Sequence, residues 1–331
     1  VRRGGATHRH DARGRLVQVG PLVRALDEVG RVFRAEGRDD VRYEGLRVAE
    51  SYGNEYGWDA EGRRVSKKTA IGDETRYRWD GAGRLTSVWL SDDERVAYDY
   101  DGLGRRVARR RETRVEIEGL DEPVWEPVST TEYVWDGLTL LHEIEDGAVV
   151  SWIWEAGQLV GRLGPGSAHA VLTDPIGVPT ELTDAKGNVA WKGELDVFGT
   201  MSLDVEQVRC PWRFPGHFED PDTRLQHAWL RVYDPETGSY LSASPLGVAG
   251  GTDLYGYVLD PFSEASPLGL GRGYDAFLGE LPSERLEAEL LERFVTALDR
   301  GDGGAGPRAR FDPEAAKIAL PDPEGDRKSV V

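Results

Sequence analysis

Three segments of the chain follow one pattern at a spacing of 21 residues: Tyr56-Gly-Trp58-Asp59-Ala-Glu-Gly62-Arg63, Tyr77-Arg-Trp79-Asp80-Gly-Ala-Gly83-Arg84 and Tyr98-Asp-Tyr100-Asp101-Gly-Leu-Gly104-Arg105. A period of that length returns the chain to the same environment again and again, which restricts it to a repeat architecture. Aromatics two apart share one face of a strand, Asp suits the first position of a type I turn, and Gly supplies the positive φ that follows. Each copy therefore reads as the tip of a β-hairpin. Two strands of about 7 residues and two turns account for the period. His8-Arg-His10-Asp11-Ala-Arg-Gly14-Arg15 is a weaker copy; Leu26-Asp27-Glu-Val-Gly30-Arg31 keeps only the turn, and Tyr133-Val-Trp135-Asp136 only the strand end.

In this reading the Tyr, Trp and Asp positions are sheet-packing residues, each cross-strand pair contributing roughly 0.2–1 kcal/mol. The alternative use of such a ladder is a sugar-stacking platform. His8 and His10 replace the aromatics of a degenerate copy rather than forming a metal pair. Residues 171–199 continue the style without the repeat, with turn signals at Asp174-Pro175-Ile-Gly177 and Asp184-Ala-Lys-Gly187-Asn188. Of Asp174, Glu181, Asp184 and Glu194, three are explained at least as well as turn or exposed strand positions, which weighs against a glycosidase-like carboxylate pair.

Composition agrees with an all-β chain: Gly 41, Trp 10 and Tyr 12 stand against Cys 1 and Met 1. A net charge of −18 repels phosphate backbones and anionic lipid, so nucleic acid is not an expected partner. The run Arg105 to Arg111 (RRVARRR) reads as a solvated strand face. Cys210 stands alone, which excludes a disulfide framework and a cysteine metal cluster. No apolar run approaches the roughly 20 residues that span a bilayer. The first residues lack the apolar stretch of a secretory signal, so an exported form needs a signal outside this chain or a route that uses none.

The unit Tyr-x-Trp/Tyr-Asp-x-x-Gly-Arg resembles the YD repeat of the Rhs (rearrangement hotspot) family, which includes the C component of insecticidal toxin complexes. Residues 214–270 resemble that family's repeat-associated core domain through Phe214-Pro215-Gly216, Asp220-Pro221, Arg231-Val-Tyr233-Asp234-Pro235-Glu236-Thr237-Gly238, Gly250-Gly251, Leu254-Tyr255 and Tyr257. The resemblance implies YD hairpins joined over 1–209 into a long curled sheet, a partial β-shell, followed by the core domain at 210–270 and a variable segment at 271–331. Six to eight hairpins are too few to close a cavity, so the chain reads as the C-terminal portion of a longer protein or a displaced end copy. The implied setting is a bacterial effector, secreted or delivered, that encases or presents its C-terminal segment. Implied partners are the rest of a longer Rhs polypeptide, that segment, a secretion-system component or an immunity protein. No cofactor or metal is implied.

The resemblance also implies a chemistry. Core domains of this family resemble aspartic autoproteases that cut after the leucine of a final Asp-Pro-Leu-Gly-Leu, with an Arg and two Asp. Here the corresponding positions hold Ser239, Ser244 and Ser266, and the cut would follow Leu270. A carboxylate pair sharing one proton can activate water and protonate the leaving group, whereas a hydroxyl near neutral pH needs a base beside it. The expectation is therefore a core that folds and does not cut, and no enzyme. Asp234, Asp253, Asp260 and Glu264 are the carboxylates that could stand in. His217 and His227 are the only core histidines, and no Gly-x-Ser-x-Gly surrounds the serines.

Beyond Leu270, Ser283 is a helix cap and residues 284–300 carry one apolar face, Leu286, Leu290, Leu291, Phe294 and Leu298, ended by Gly301. The segment has no His and no Cys, which excludes His-based nuclease and zinc deaminase sites, and Asp312, Glu314, Asp322 and Glu324 lie among prolines. It reads as non-enzymatic. Two alternatives remain: a self-processing carrier whose residues 271–331 are a small toxin, and a YD-repeat module that binds carbohydrate or a cell surface.

Overall fold

Each Asp-x-x-Gly-Arg turn closes in the same way. Gly62 N–H donates to Asp59 O at 3.1 Å and Asp59 N–H to Arg63 O at 2.9 Å, with Gly62, Gly83 and Gly104 at φ 77°, 77° and 80°. The Asp carboxylate then grips the Arg twice: Asp59 accepts from Arg63 N at 2.8 Å and from Arg63 Nε at 2.7 Å, and Asp80/Arg84 and Asp101/Arg105 repeat this. Held so, each Arg reaches a carbonyl in the next turn: Arg63 to Asp80 O at 3.1 Å, Arg84 to Asp101 O at 3.1 Å and Arg105 to Gly137 O at 2.8 Å. The aromatic before the Asp works in the other direction. Trp79 Nε1 donates to Arg64 O at 2.7 Å, Tyr100 OH to Leu85 O at 2.8 Å and Trp135 Nε1 to Arg106 O at 2.8 Å. The repeat signature is thus a turn clip and two staples between neighbouring hairpins.

The protein is a computed structural model describing residues 2–3, 6–118 and 123–271, all within the unit Val1–Leu290. The helix expected over 284–300, and the rest of the segment after Gly271, lie outside the described residues. Stapled hairpins build one 16-stranded antiparallel sheet in sequence order, from Val41–Glu44 to Met201–Glu206. Strands Asn54–Trp58 and Glu74–Trp79 have 5 and 6 residues, shorter than the repeat length suggests. Bulges beside the turns, between Arg64 and Ser66 and between Arg78 and Trp79, take up the difference. Ahead of this sheet, residues up to Val23 form a four-stranded one, and Ala25–Leu26 pairs with Val32–Phe33. Degenerate copies keep the clip there: Arg15 Nε meets Asp11 at 2.6 Å and Arg15 Nη1 meets Asp27 O at 2.6 Å. His10 pairs with Asp260 at 2.8 Å, and His8 stacks on Phe262.

Residues 210–271 pack against the inner face of the curled sheet. They contribute a small sheet of Phe218–Glu219, Gln226–His227, Val232–Asp234 and Ser239–Tyr240. Leu225, Val232 and Leu241 pack with Leu85, Val88, Val96 and Tyr98, while Trp212, Phe214, Phe218 and Tyr233 pack with Tyr133, Leu140, Trp152 and Trp191. The ladder tyrosines Tyr56, Tyr77, Tyr98 and Tyr133 are all buried. The tyrosine rings face the core, and the half-buried Trp79 and Trp135 donate their indole N–H to neighbouring strands.

One expectation fails here. The run Arg105 to Arg111 is not a solvated face: Arg110 and Arg111 are 29% and 38% exposed, but Arg106 and Arg109 are 6% and 3%. Strand alternation decides this, sending alternate side chains to opposite faces with one step altered by the bulge between Asp99 and Tyr100. Arg109 is paired with Asp220, Nε to Oδ2 at 2.8 Å, and with Asp222.

Candidate functional site

The two Ser-Pro-Leu-Gly segments fold alike. Gly247 N–H donates to Ser244 O at 2.9 Å and Gly269 N–H to Ser266 O at 3.1 Å, with both glycines in the left-handed region at φ 55° and 73°. Although 22 residues apart in sequence, the two turns converge on one peptide bond. Ser244 Oγ donates to Leu270 O at 2.8 Å, and Gly271 N–H donates to Ser266 Oγ at 3.2 Å. The serine that begins each turn therefore lies at one end of the Leu270–Gly271 peptide, where the expected cut would fall.

The surroundings hold that peptide tightly. Leu270 is buried among Leu138, Trp229, Leu230, Leu246 and Leu268. Gly250 lies against it: a Cβ there would stand 2.6 Å from both Leu270 O and Ser244 Oγ, so only glycine allows the approach. Arg231, part of the core motif but given no role by the sequence, donates from Nε to Gly269 O and from Nη1 to Leu254 O at 3.0 Å, with its guanidinium 3.6 Å from the centroid of the Tyr240 ring. The signal that could have found it is an arginine in the otherwise apolar Leu230–Tyr233 segment leading into strand Val232–Asp234, where burial demands partners.

Ser239 is elsewhere. Its hydroxyl meets Thr237 Oγ1 at 2.9 Å, next to the buried pair of Arg64 Nη1 and Asp234 Oδ2 at 2.5 Å. The four candidate substitute carboxylates are engaged away from the peptide. Asp234 is held by Arg64, Asp260 by His10, Glu264 accepts from Leu259 N at 3.2 Å, and Asp253 accepts from Tyr255 N at 3.0 Å. Burial pushes the Asp253 carboxyl up; for Asp234 burial pushes the same way, but the charge and hydrogen bond of Arg64, the Glu236 backbone N–H and Lys67 together outweigh it and hold the carboxyl below its usual range. Among the described residues, no carboxylate is hydrogen-bonded to Leu270 or Gly271. His217 sits between Pro215 O at 3.0 Å and Tyr240 OH at 3.2 Å, and burial pushes its imidazole down to about 4. No group of three or more metal-ligating side chains occurs among the described residues. Asp174 and Asp184 each cap their own turn, at 2.9 Å to Ile176 N and 2.8 Å to Lys186 N, and Glu181 pairs with Lys192 at 3.5 Å. These do not form a paired-carboxylate site with Glu194.

The family model described as the Teneurin YD-shell matches residues 3–248. The chain belongs to the YD-shell family. Its Rhs/YD-repeat character is shared by relatives of bacterial origin. It is 30% identical over 170 residues to the double-stranded DNA deaminase toxin A of Burkholderia cenocepacia, covering 44% of this chain and 12% of that protein. Toxin protein Tse5 of Pseudomonas aeruginosa is 34% identical over 114 residues, covering 34% of this chain and 9% of that one. The YD-shell chain therefore spans only a small part of these relatives. Among solved structures, the Photorhabdus luminescens Tc holotoxin pore with the mutation TccC3-D651A aligns at TM-score 0.50 and 16% identity, over 80% of this chain and 15% of that one. At that identity the likeness concerns the fold.

Proposed function

We propose that this chain is the shell-and-core portion of an Rhs-type polymorphic toxin, part of a longer secreted or delivered polypeptide, and that it holds its C-terminal segment without cutting it free. The observation that carries this reading is the pair Ser244 and Ser266, which grip the two ends of the Leu270–Gly271 peptide as neutral hydrogen-bonding groups. Ser244 donates its only proton to the Leu270 carbonyl, so that contact can polarise the carbonyl but cannot generate a hydroxide. Arg231 on Gly269 O and glycine at position 250 keep the backbone in place. The arrangement is a clamp on an intact peptide. The relatives named as toxins support the setting; the clamp supports the uncut state.

Intact mass spectrometry of the full chain after prolonged incubation tests this. The expected result is one species of full mass, and a fragment beginning at Gly271 overturns the reading. The double variant Ser244→Asp with Ser266→Asp places two carboxyl groups across the same peptide. Cleavage after Leu270 in that variant alone shows that the serines are what keep the site uncut.

A further inference from the structure

The outer face of the 16-stranded sheet changes character along its length. Over the earlier strands its exposed side chains form ion pairs: Arg42 with Glu44 at 2.9 Å and Glu50 at 3.3 Å, Arg76 with Asp92 at 2.6 Å, and Arg110 with Asp99. Five neighbouring strands then follow, Val124–Asp136, Thr139–Glu145, Ala148–Glu155, Gln158–Gly164 and Ser167–Thr173. Across them Val134, His142, Ser151, Leu163 and Ala168 stand opposite one another in one row, and Ile153, Gly161 and Ala170 in another. No Lys, Arg, Asp or Glu occurs in these two rows.

Val134, Val149, Ile153, Leu163 and Leu172 are between 40% and 51% exposed, while Tyr133, Trp152 and Val171, one position away on the inner face, are buried. Strands apolar on both faces are the pattern of a sheet covered on both sides, and here only the inner cover is the core. The polar pair within the patch is engaged, His142 Nδ1 with Ser151 Oγ at 2.8 Å. Ile153 lies across Gly161, where a Cβ would stand 3.2 Å from that of Ile153, so the surface stays shallow. Strands about 4.8 Å apart and residues about 3.3 Å apart give the patch roughly 300–400 Å². That is the scale of functional patches on monomers and about half of one side of a standard interface, which fits a short segment better than a second sheet.

The border of the patch carries negative charge. Glu132 stands opposite Ile144, Glu181 opposite Leu172, and Glu155 ends the strand that holds Ile153. Lys192, beside Glu181, is paired with it at 3.5 Å. A second copy of this chain would bring the same carboxylates to face one another, with a net charge of −18 on each side. We propose that this outer face docks a partner protein through a segment whose apolar side chains are flanked by lysine or arginine. Its apolar side chains cover the patch and its cations meet Glu132, Glu155 and Glu181, the apolar centre and polar rim of a specific interface. This inference is independent of whether the Leu270–Gly271 peptide is ever cut.

The test uses the full chain and, as probe, a fluorescently labelled amphipathic peptide of leucine and lysine, followed by anisotropy. The expected result is saturable binding that weakens as ionic strength rises, and no binding of the same peptide with glutamate in place of lysine. Leu163→Gln with Leu172→Gln leaves the net charge unchanged and should weaken binding at least about tenfold by removing apolar contact. Ile71→Gln, at an exposed apolar residue in a turn outside the patch, should not weaken it. Glu132→Gln with Glu155→Gln should weaken binding and flatten its salt dependence. Should the double leucine variant not fold, Ile153→Gln takes its place with the same expected direction. Equal binding by the leucine variant, meaning attraction by net charge alone, overturns the proposal, as does no binding at all. A dimer of the unaltered chain in sedimentation equilibrium that the leucine variant loses assigns the face to a second copy and also overturns it.

Discussion

Arg64 and Arg106 begin with the same local sequence and the same turn, and both lie over aromatic rings, yet one forms an ion pair with a carboxylate and the other does not. Asp234 reaches Arg64 from 170 residues away in the chain, and Thr237 closes the group. Around Arg106 the core presents His227 and the apolar face of Phe218 instead. Repetition therefore copies the cation but not its partner. A repeat sheet wrapped on a non-repetitive core must meet a different surface at each period, and the energetic role of each copy is decided by that surface.

The largest effect expected from this contrast is at Arg64. Arg64→Met leaves Asp234 buried without a counter-charge and should cost about 3–5 kcal/mol in urea unfolding. Arg106→Met removes a buried cation that supports the Asp220 carboxylate without pairing with it directly, and should cost less than Arg64→Met. Equal losses at the two sites would break the comparison.

Acid should separate the two sites next. The folded Asp234 carboxyl is held below its ordinary value, so the stability from its pair with Arg64 is complete above about pH 3.9 and is lost as pH falls through the folded value. His227 behaves differently. Burial, and after it the Arg106 cation, hold its imidazole well below its ordinary value. As pH falls below about 6.5, the unfolded chain takes up a proton that the folded chain refuses, and stability drops by about 1.4 kcal/mol per pH unit for each such group. His169 and His217 are also held low and add to that slope. His227→Phe should reduce the slope between pH 6.5 and 5 by the equivalent of one proton, measured by urea unfolding across pH. An unchanged slope would mean His227 is charged in the folded protein.

The smallest effects should come from the staples that the copies share. Trp79→Phe removes the indole N–H donated to Arg64 O and should cost about 1 kcal/mol. Trp135→Phe does the same beside Arg106 and should cost a similar amount. A large difference between these two would show that the docked core, rather than the sheet, sets their value.

Much of the shell was legible because its causes are local. The Asp-x-x-Gly-Arg clip involves atoms four residues apart, so Asp59, Gly62 and Arg63 are sufficient to form it wherever they occur, and Asp80 to Arg84 and Asp101 to Arg105 repeat it. The serine turns were legible for the same reason, since Pro and Gly shape each one. Missed were the role of Arg231, which finds its partners in Gly269 and Leu254, and the burial of Arg106 and Arg109 inside a run of charge. Neither a run of arginines nor a single one in a strand reveals which face the strand presents once a bulge has altered the alternation.

By itself, then, the sequence determined the period, the hairpins, the clips and the two matching Ser-Pro-Leu-Gly turns, because each depends on bonds within a few residues. Only the tertiary structure decided that Ser244 and Ser266 meet on the Leu270–Gly271 peptide, that Asp234 finds Arg64, and that Arg106 is left without an ion pair. The first is settled by how the core folds on itself, between residues up to 26 positions apart, and the others by which part of the core lies against which hairpin, a packing choice invisible to any local pattern.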